Sequence, residues 1–191
     1  MSREIENSIG RSDWKEARQL VRAALRAEPD SHWLLARLSL TYYEEFDYER
    51  ALIIVKRAYD IAPGCPLVLW ELAGTLDMLG REREAISIYR RLIGRGVESV
   101  AFGKCGEGLS RARGLIADCW YRLAHCERNL GHGTQAIQCY QRHIASRGPG
   151  CHSIYLLRNV RKELQKQVTA LNALLAVEEQ AAEWTRAFGE Y

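Results

Sequence analysis

Cysteine and histidine crowd the last third of the chain, where Cys119, His125, Cys126, Cys139, His143, Cys151 and His152 follow one another closely. Side chains of these types do two kinds of chemistry: they ligate metal ions, or they pair a thiolate with an imidazole base. The spacings here fit neither. Cys119 and Cys126 lie two helical turns apart, too far along an axis to share one zinc ion. No Cys-x2-Cys pair occurs anywhere in the chain. His125 adjoins Cys126, so on a helix the two point to different faces. The cluster Gly103-Lys104-Cys105-Gly106-Glu107-Gly108 is the one glycine-rich stretch that could cradle phosphate on backbone amides. It lacks the closing Gly-Lys-Ser/Thr, the preceding strand and the alternation of strand and helix that a phosphate loop requires, and it reads instead as a flexible connection. The sequence thus predicts no catalytic residue, no cofactor and no metal, and a chain that is not an enzyme.

The elements that would position any site are read from a period. Ala17, Ala51 and Ala85 stand 34 residues apart, and Pro29 and Pro63 repeat the interval. The clearest unit runs Leu35-x2-Leu38-Ser39-x2-Tyr42, then Ala51-x3-Val55, Ala58 and Pro63, with Glu45-Phe46-Asp47-Tyr48 as the turn. Apolar residues recur at intervals of three and four in each half, giving each helix one core stripe, and Ala51 and Ala58 are small where two axes come close. Leu69, Leu72, Ala73 and Leu76, then Gly80, then Ala85, Tyr89 and Leu92 repeat the order. A later unit holds Trp120, Leu123, Ala124, Gly131, Ala136 and Tyr140; its glycine and alanine come 51 residues after Gly80 and Ala85, one period and a half. About half a repeat is therefore inserted at Glu98 to Gly114. The first unit keeps Ala17, Val21, Ala24 and Pro29, but its first helix, with Ile5 and Ile9, is short and polar and is expected to fray.

This order of residues resembles the tetratricopeptide repeat. The resemblance covers roughly residues 1–148, strongly in the second and third units, well in the fourth and partially in the first. It implies an all-α, right-handed α-α superhelix of about four helical hairpins, a solenoid in which each unit leaves an apolar face for its neighbour to cover. The expected division is 1–148 for the solenoid, with repeats at approximately 1–29, 30–63, 64–97 and 115–148 and an insertion at 98–114, followed by a C-terminal extension at 149–191. From Ser153 to Phe188 there is no glycine or proline, and Leu157, Val160, Leu164, Val168, Leu171 and Leu175 recur three or four apart. One long amphipathic helix is expected there, its early half capping the last hairpin and its later half projecting or pairing with another chain.

In this family the first helices line the concave surface and ligands lie against them. Projecting the motif onto this chain gives a partner-binding groove of Trp33, Leu40, Tyr43 and Glu44 from the second unit, Trp70 and Asp77 from the third, and Asp118, Tyr121, His125, Arg128 and Asn129 from the fourth. Ala36, Leu67, Gly74 and Met78 fall on the same faces. The set lacks the lysines and asparagines of a carboxylate clamp, and its aromatics favour an apolar or amphipathic peptide or helix segment of a protein partner. Two alternatives stay open at this level: that the aromatics are core, or that they cover the terminal helix or the inserted segment, with Val100, Ala101 and Phe102 folding back into the groove as an internal ligand.

The net charge of +3 is unevenly spread, at −1 over residues 1–102, +7 over 103–166 and −3 over 167–191. Arg111, Arg113, Arg122, Arg128, Arg158, Arg161 and Lys162 in the middle segment motivate an alternative reading as an RNA-associated adaptor. A third reading is a homo-oligomer joined through residues 167–188. Four of the six cysteines sit at apolar helical positions and are expected to be buried free thiols. No stretch approaches the roughly 20 apolar residues of a membrane span, and the first residues lack the apolar core of a secretion signal, so the expected location is cytoplasmic.

Overall fold

The computed structural model describes residues 1–106 and 108–188; Glu107, in the expected insertion, and residues 189–191, in the expected C-terminal extension, lie outside the described residues. The described elements are α1 (Ser2–Gly10), α2 (Trp14–Ala27), α3 (His32–Tyr43), α4 (Tyr48–Ile61), α5 (Pro66–Met78), α6 (Glu82–Phe102), α7 (Leu109–Asn129), α8 (Gly133–Ala145) and α9 (Leu157–Phe188). They pair as four hairpins, α1/α2, α3/α4, α5/α6 and α7/α8, with α9 laid against the last.

The 34-residue period is written into the backbone as well as the side chains. Ser12, Phe46, Gly80 and Gly131 all take left-handed φ, between 58° and 79°, at the turn of their hairpin. After each, the next residue donates its N–H to a carbonyl five positions back: Asp13 to Ser8, Asp47 to Tyr42, Arg81 to Leu76 and His132 to Glu127. This closure satisfies the orphan carbonyls of the first helix and aims the chain straight into the second. Asp13 and Asp47 then cap α2 and α4, their carboxylates accepting the N–H of Glu16 and Arg50 at 2.9 and 3.2 Å.

The period's alanines, Ala17, Ala51, Ala85 and Ala136, have no exposed surface. Ser39 Oγ donates to the carbonyl of Ala51 at 2.9 Å, a contact only small residues at the crossing permit. The first helix does not behave as its polarity suggests: Ile5 is fully buried, and Ser8 donates to Glu16 at 2.7 Å, fastening α1 to α2. One buried isoleucine facing α2 and α3 outweighs the polar remainder.

The extra half-repeat is mostly helical. Gly96, at φ 72°, kinks α6 where the two previous units have Pro63 and Pro29 nearby, and Val97–Phe102 continues as a short helical arm. Leu109 then begins α7 a turn and more before its repeat motif. Val100 and Ala101 of the arm pack on Ala112 and Ile116 of that extension, forming a small core of their own, while Phe102 points to solvent. Val100 and Ala112 line a cavity together with Leu67 and Trp70, so the arm borders the face of α5 at that point.

The C-terminal helix starts at Leu157, where its apolar spacing begins and four residues into the stretch without glycine or proline. Val160 is fully buried and Leu164 half-buried against the fourth hairpin, but beyond Leu171 every residue up to Arg186 is exposed. Of the six cysteines, Cys65, Cys119, Cys126 and Cys139 are buried and free, and Cys105 and Cys151 are half-buried and free. Burial raises the thiols of Cys119, Cys126 and Cys139, the last to about 11, which leaves them protonated and unreactive. Among the described residues no helix is long and apolar enough to cross a membrane.

Candidate interaction groove

Stacking places α3, α5 and α7 side by side, and the residues projected onto their common face divide into three groups. At the α3 end, Trp33, Leu40 and Tyr43 are half-buried and Glu44 is exposed. Arg37 lies over the Trp33 ring at 5.5 Å while its Nε donates to Glu6 at 2.7 Å, so the indole is held from one side and open on the other. Facing Arg37 from α5 is Glu71, a residue that the repeat motif does not project into the groove. Burial lifts its carboxyl to about 7, against the pull of Arg37 and with a push from Glu44.

In the middle, one guanidinium joins three hairpins. Arg122 of α7 donates to the hydroxyls of Tyr43 on α3 and Tyr89 on α6, at 3.2 and 3.3 Å, and reaches the Gly74 carbonyl of α5 at 3.5 Å. Its Nη2 lies 3.2 Å from Asp77, whose side chain is 1% exposed. Burial alone would discharge the arginine, but Tyr89, Tyr155, Asp77 and Tyr43 outweigh it and hold its pKa above the ordinary value. His125 Nδ1 stands 3.5 Å from the other oxygen of Asp77. Trp70 packs edge-on against Tyr89, with ring centroids 5.9 Å apart. Asp77 is thus a structural anion at the groove floor, and Trp70 is half core and half lining.

At the α7 end the face is already covered, and by a segment that carries no repeat motif. Residues 153–155 cross α7, with the chain bending at Ile154 and Tyr155. Asp118 accepts the hydroxyl of Ser153 and, at 3.1 Å, the N–H of Ile154. Tyr155 stacks on Tyr121, centroids 3.9 Å apart and planes 23° from parallel. These bonds also explain the late start of α9, since Ile154 spends its N–H on Asp118. Burial drives the Tyr155 hydroxyl well up, with Arg122, Asp118, Tyr43 and Tyr121 all near enough to act on it, which puts the ring in the middle of the groove. Arg128 is drawn to Glu163 of α9 at 3.6 Å. Of the five residues projected from the fourth unit, Asp118, Tyr121 and Arg128 hold the chain's own tail, His125 faces Asp77, and Asn129 is exposed. The close crossing is possible because position 114 is glycine: a Cβ there would overlap the carbonyl oxygen of His152.

Burial pushes the tyrosines of this face up rather than down, so their hydroxyls stay protonated and serve as hydrogen-bonding groups. Residues 117–145 match the family model described as tetratricopeptide repeat. The whole chain superposes on solved solenoids of that kind. One stretch of the chain thus matches a tetratricopeptide repeat, and its fold is that of such solenoids. One structure of MamA shares 14% identity over 97% of this chain and 92% of that one, with a TM-score of 0.64; another shares 18% over 95% and 91%, with 0.58. A tetratricopeptide repeat protein from Parabacteroides merdae shares 16% over 95% of this chain and 66% of that one, also at 0.58. No curated protein matches the sequence. These likenesses fix the repeat protein's fold as an all-α superhelix.

Three further residues meet at the edge of this face although no sequence motif joins them. His32, Cys65 and Cys105 bring one imidazole nitrogen and two sulfurs to within 4.8 Å of one another. They lie far apart in the chain and outside the cysteine-rich final third. The one signal that could have found them is positional: His32 and Cys65 open the first helices of consecutive repeats, at positions the period makes neighbours.

Proposed function

We propose that this repeat protein is a non-enzymatic interaction module that takes an apolar or amphipathic segment of a protein partner along the first helices of its second and third hairpins. The observation that carries this reading is the tail in the groove. Residues 153–155 are held there by an aromatic stack and by a carboxylate that accepts a backbone N–H, the means by which such a face would hold a foreign chain. Aromatic and carboxylate side chains continue beyond the tail along Trp33, Leu40 and Glu44 to Trp70, with Tyr43 close to Tyr155. Large, rigid aromatic side chains supply contact area at little entropic cost, and the exposed Glu44 gives the segment a direction.

The test is selection of binding peptides from a displayed random library, with affinities measured on Trp33→Ala and Trp70→Ala. Each change should weaken selected peptides about tenfold or more, a typical loss for a central aromatic anchor, while the helical circular dichroism stays unchanged. Peptides that bind both variants as they bind the parent chain would reject the groove. Tyr155→Ala should tighten those peptides that compete with the tail.

A second reading rests on α9. Leu174, Leu175 and Val177 are exposed on the projecting part of the helix, Val177 at 62%. Self-association through residues 167–188 would cover them. Light scattering of the full chain and of a chain ending at Gln167 decides it: equal masses dismiss the dimer. The RNA reading gains no comparable support, because Arg113 donates to the Pro149 carbonyl, Arg122 lies in the groove network and Arg128 pairs with Glu163.

A further inference from the structure

We infer that His32, Cys65 and Cys105 form a binding site for a single zinc(II) ion, which clips the inserted segment to the starts of the second and third hairpins. His32 is the first residue of α3, and Cys65 is the N-cap of α5. Cys105 lies between α6 and α7 in the glycine-rich stretch, 73 residues from His32 in sequence. The Cys105 Sγ is 3.3 Å from His32 Nε2, and all three ligand atoms lie within 4.8 Å of one another. Bonds of about 2.3 Å to sulfur and about 2.0–2.1 Å to nitrogen place the ligands of a tetrahedral zinc ion about 3.5–3.8 Å apart. Small side-chain rotations suffice to close the set.

Three independent features favour an ion over a chance meeting of thiols. The Cys65 sulfur faces the N–H groups of Leu67 and Val68 at the N-terminus of α5, donors that would support a metal-bound sulfur. Cys105 holds φ at 66°, a left-handed value outside the hairpin turns and costly for a residue with a side chain, and its sulfur lies beside the other two ligand atoms. The chemistry of the set is also selective: two thiolates and an imidazole suit zinc and exclude magnesium and calcium.

Zinc takes cysteine as the thiolate, so binding releases protons and strengthens as pH rises. Three protein ligands leave the fourth position for water or an incoming donor. Cys105 also lines a cavity of about 90 Å³ with Trp70, Leu67, Val100 and Leu115, which gives that position access.

Cobalt(II) is the probe, because its thiolate charge-transfer absorption reports the ligands directly. The fully reduced, chelator-treated chain should take up one equivalent, develop that absorption, and lose it when zinc(II) is added. Cys105→Ser and His32→Ala should each abolish or strongly reduce the band while the circular dichroism remains that of the parent. Cys151→Ser should leave it intact, and zinc should raise the melting temperature of the parent chain but not of Cys105→Ser. A reduced, folded chain that gives no charge-transfer band overturns the site. So does a band that Cys105→Ser leaves undiminished, or formation of a Cys65–Cys105 disulfide in air by a chain that binds no cobalt when reduced.

Discussion

The second and fourth hairpins are built to the same plan and left in different states. In both, a left-handed residue closes the turn, a fully buried alanine marks the crossing of the two helices, and aromatic residues of the first helix face the groove. The face of α3 is open around Trp33, Leu40 and Glu44. The face of α7 is filled by Ser153, Ile154 and Tyr155. A repeat thus determines which surface a helix presents, while connections between and after the repeats determine whether that surface is free.

Arg122 is where the two states meet, and its removal should have the largest effect. Arg122→Ala leaves Asp77 buried without its cation, and loss of one partner of such a pair costs roughly 3–5 kcal/mol. Chemical denaturation should show that loss, and hydrogen exchange should rise in α3, α5 and α7 together if the arginine joins the hairpins. Glu71→Gln acts at the open end alone. The native carboxyl titrates at about 7 against an ordinary 4.5, so the native state holds its proton more tightly than the unfolded chain does. Its contribution is present in full below pH 4.5 and is lost as pH rises through 7, a total of up to ~3 kcal/mol. The glutamine variant should therefore match the parent in acid and exceed it above neutrality; parallel stability curves from about pH 4 to pH 8 would show that Glu71 is not buried as described.

Asp118→Ala addresses the closed end. It strips the Ile154 N–H and the Ser153 hydroxyl of their acceptor, at a cost of about 1–3 kcal/mol. Exchange protection should fall at Ile154 and the first turn of α9 and stay unchanged in α3. Released from its docking, the tail should then yield to groove-selected peptides more readily. The smallest effect belongs to Phe46, which keeps a left-handed φ of 64° with its ring 78% exposed. Phe46→Gly relieves that conformation and should raise stability by ~1 kcal/mol in thermal melts, whereas Gly80→Ala, at the equivalent turn, should lower it by a similar amount.

Much of this architecture is legible in the chain because stacking obeys a period. The interval of Ala17, Ala51 and Ala85 fixes helix order, and the later arrival of Gly131 and Ala136 is enough by itself to reveal the extra half-repeat. What escapes is whatever the period does not govern. The polar α1 looks weak until Ile5 is seen to find a pocket between neighbours. Tyr155 follows a stretch with no helical or strand pattern, and nothing local marks it as the occupant of a groove formed by residues far upstream. The cluster of His32, Cys65 and Cys105 is hidden by separation, although two of its members stand at the starts of consecutive first helices, one residue out of register with the period. Trp70 and Tyr121 are legible as groove residues, but their partners Tyr89 and Tyr155 are not, since an outward-facing aromatic and one that covers a neighbour share the same spacing.

The left-handed residues at 12, 46, 80 and 131 have an arithmetic consequence. Because the turns are conformationally equivalent, the segment 47–80 can be excised in thought so that Phe46 runs directly into Arg81, with the same handedness and the same direction of entry into the following helix. Chain length is thereby decoupled from chain geometry. Genetic duplication or loss of 34 residues lengthens or shortens the array without inventing a new junction, while a change of any other size, such as the extra half-repeat, must be absorbed as an arm of its own.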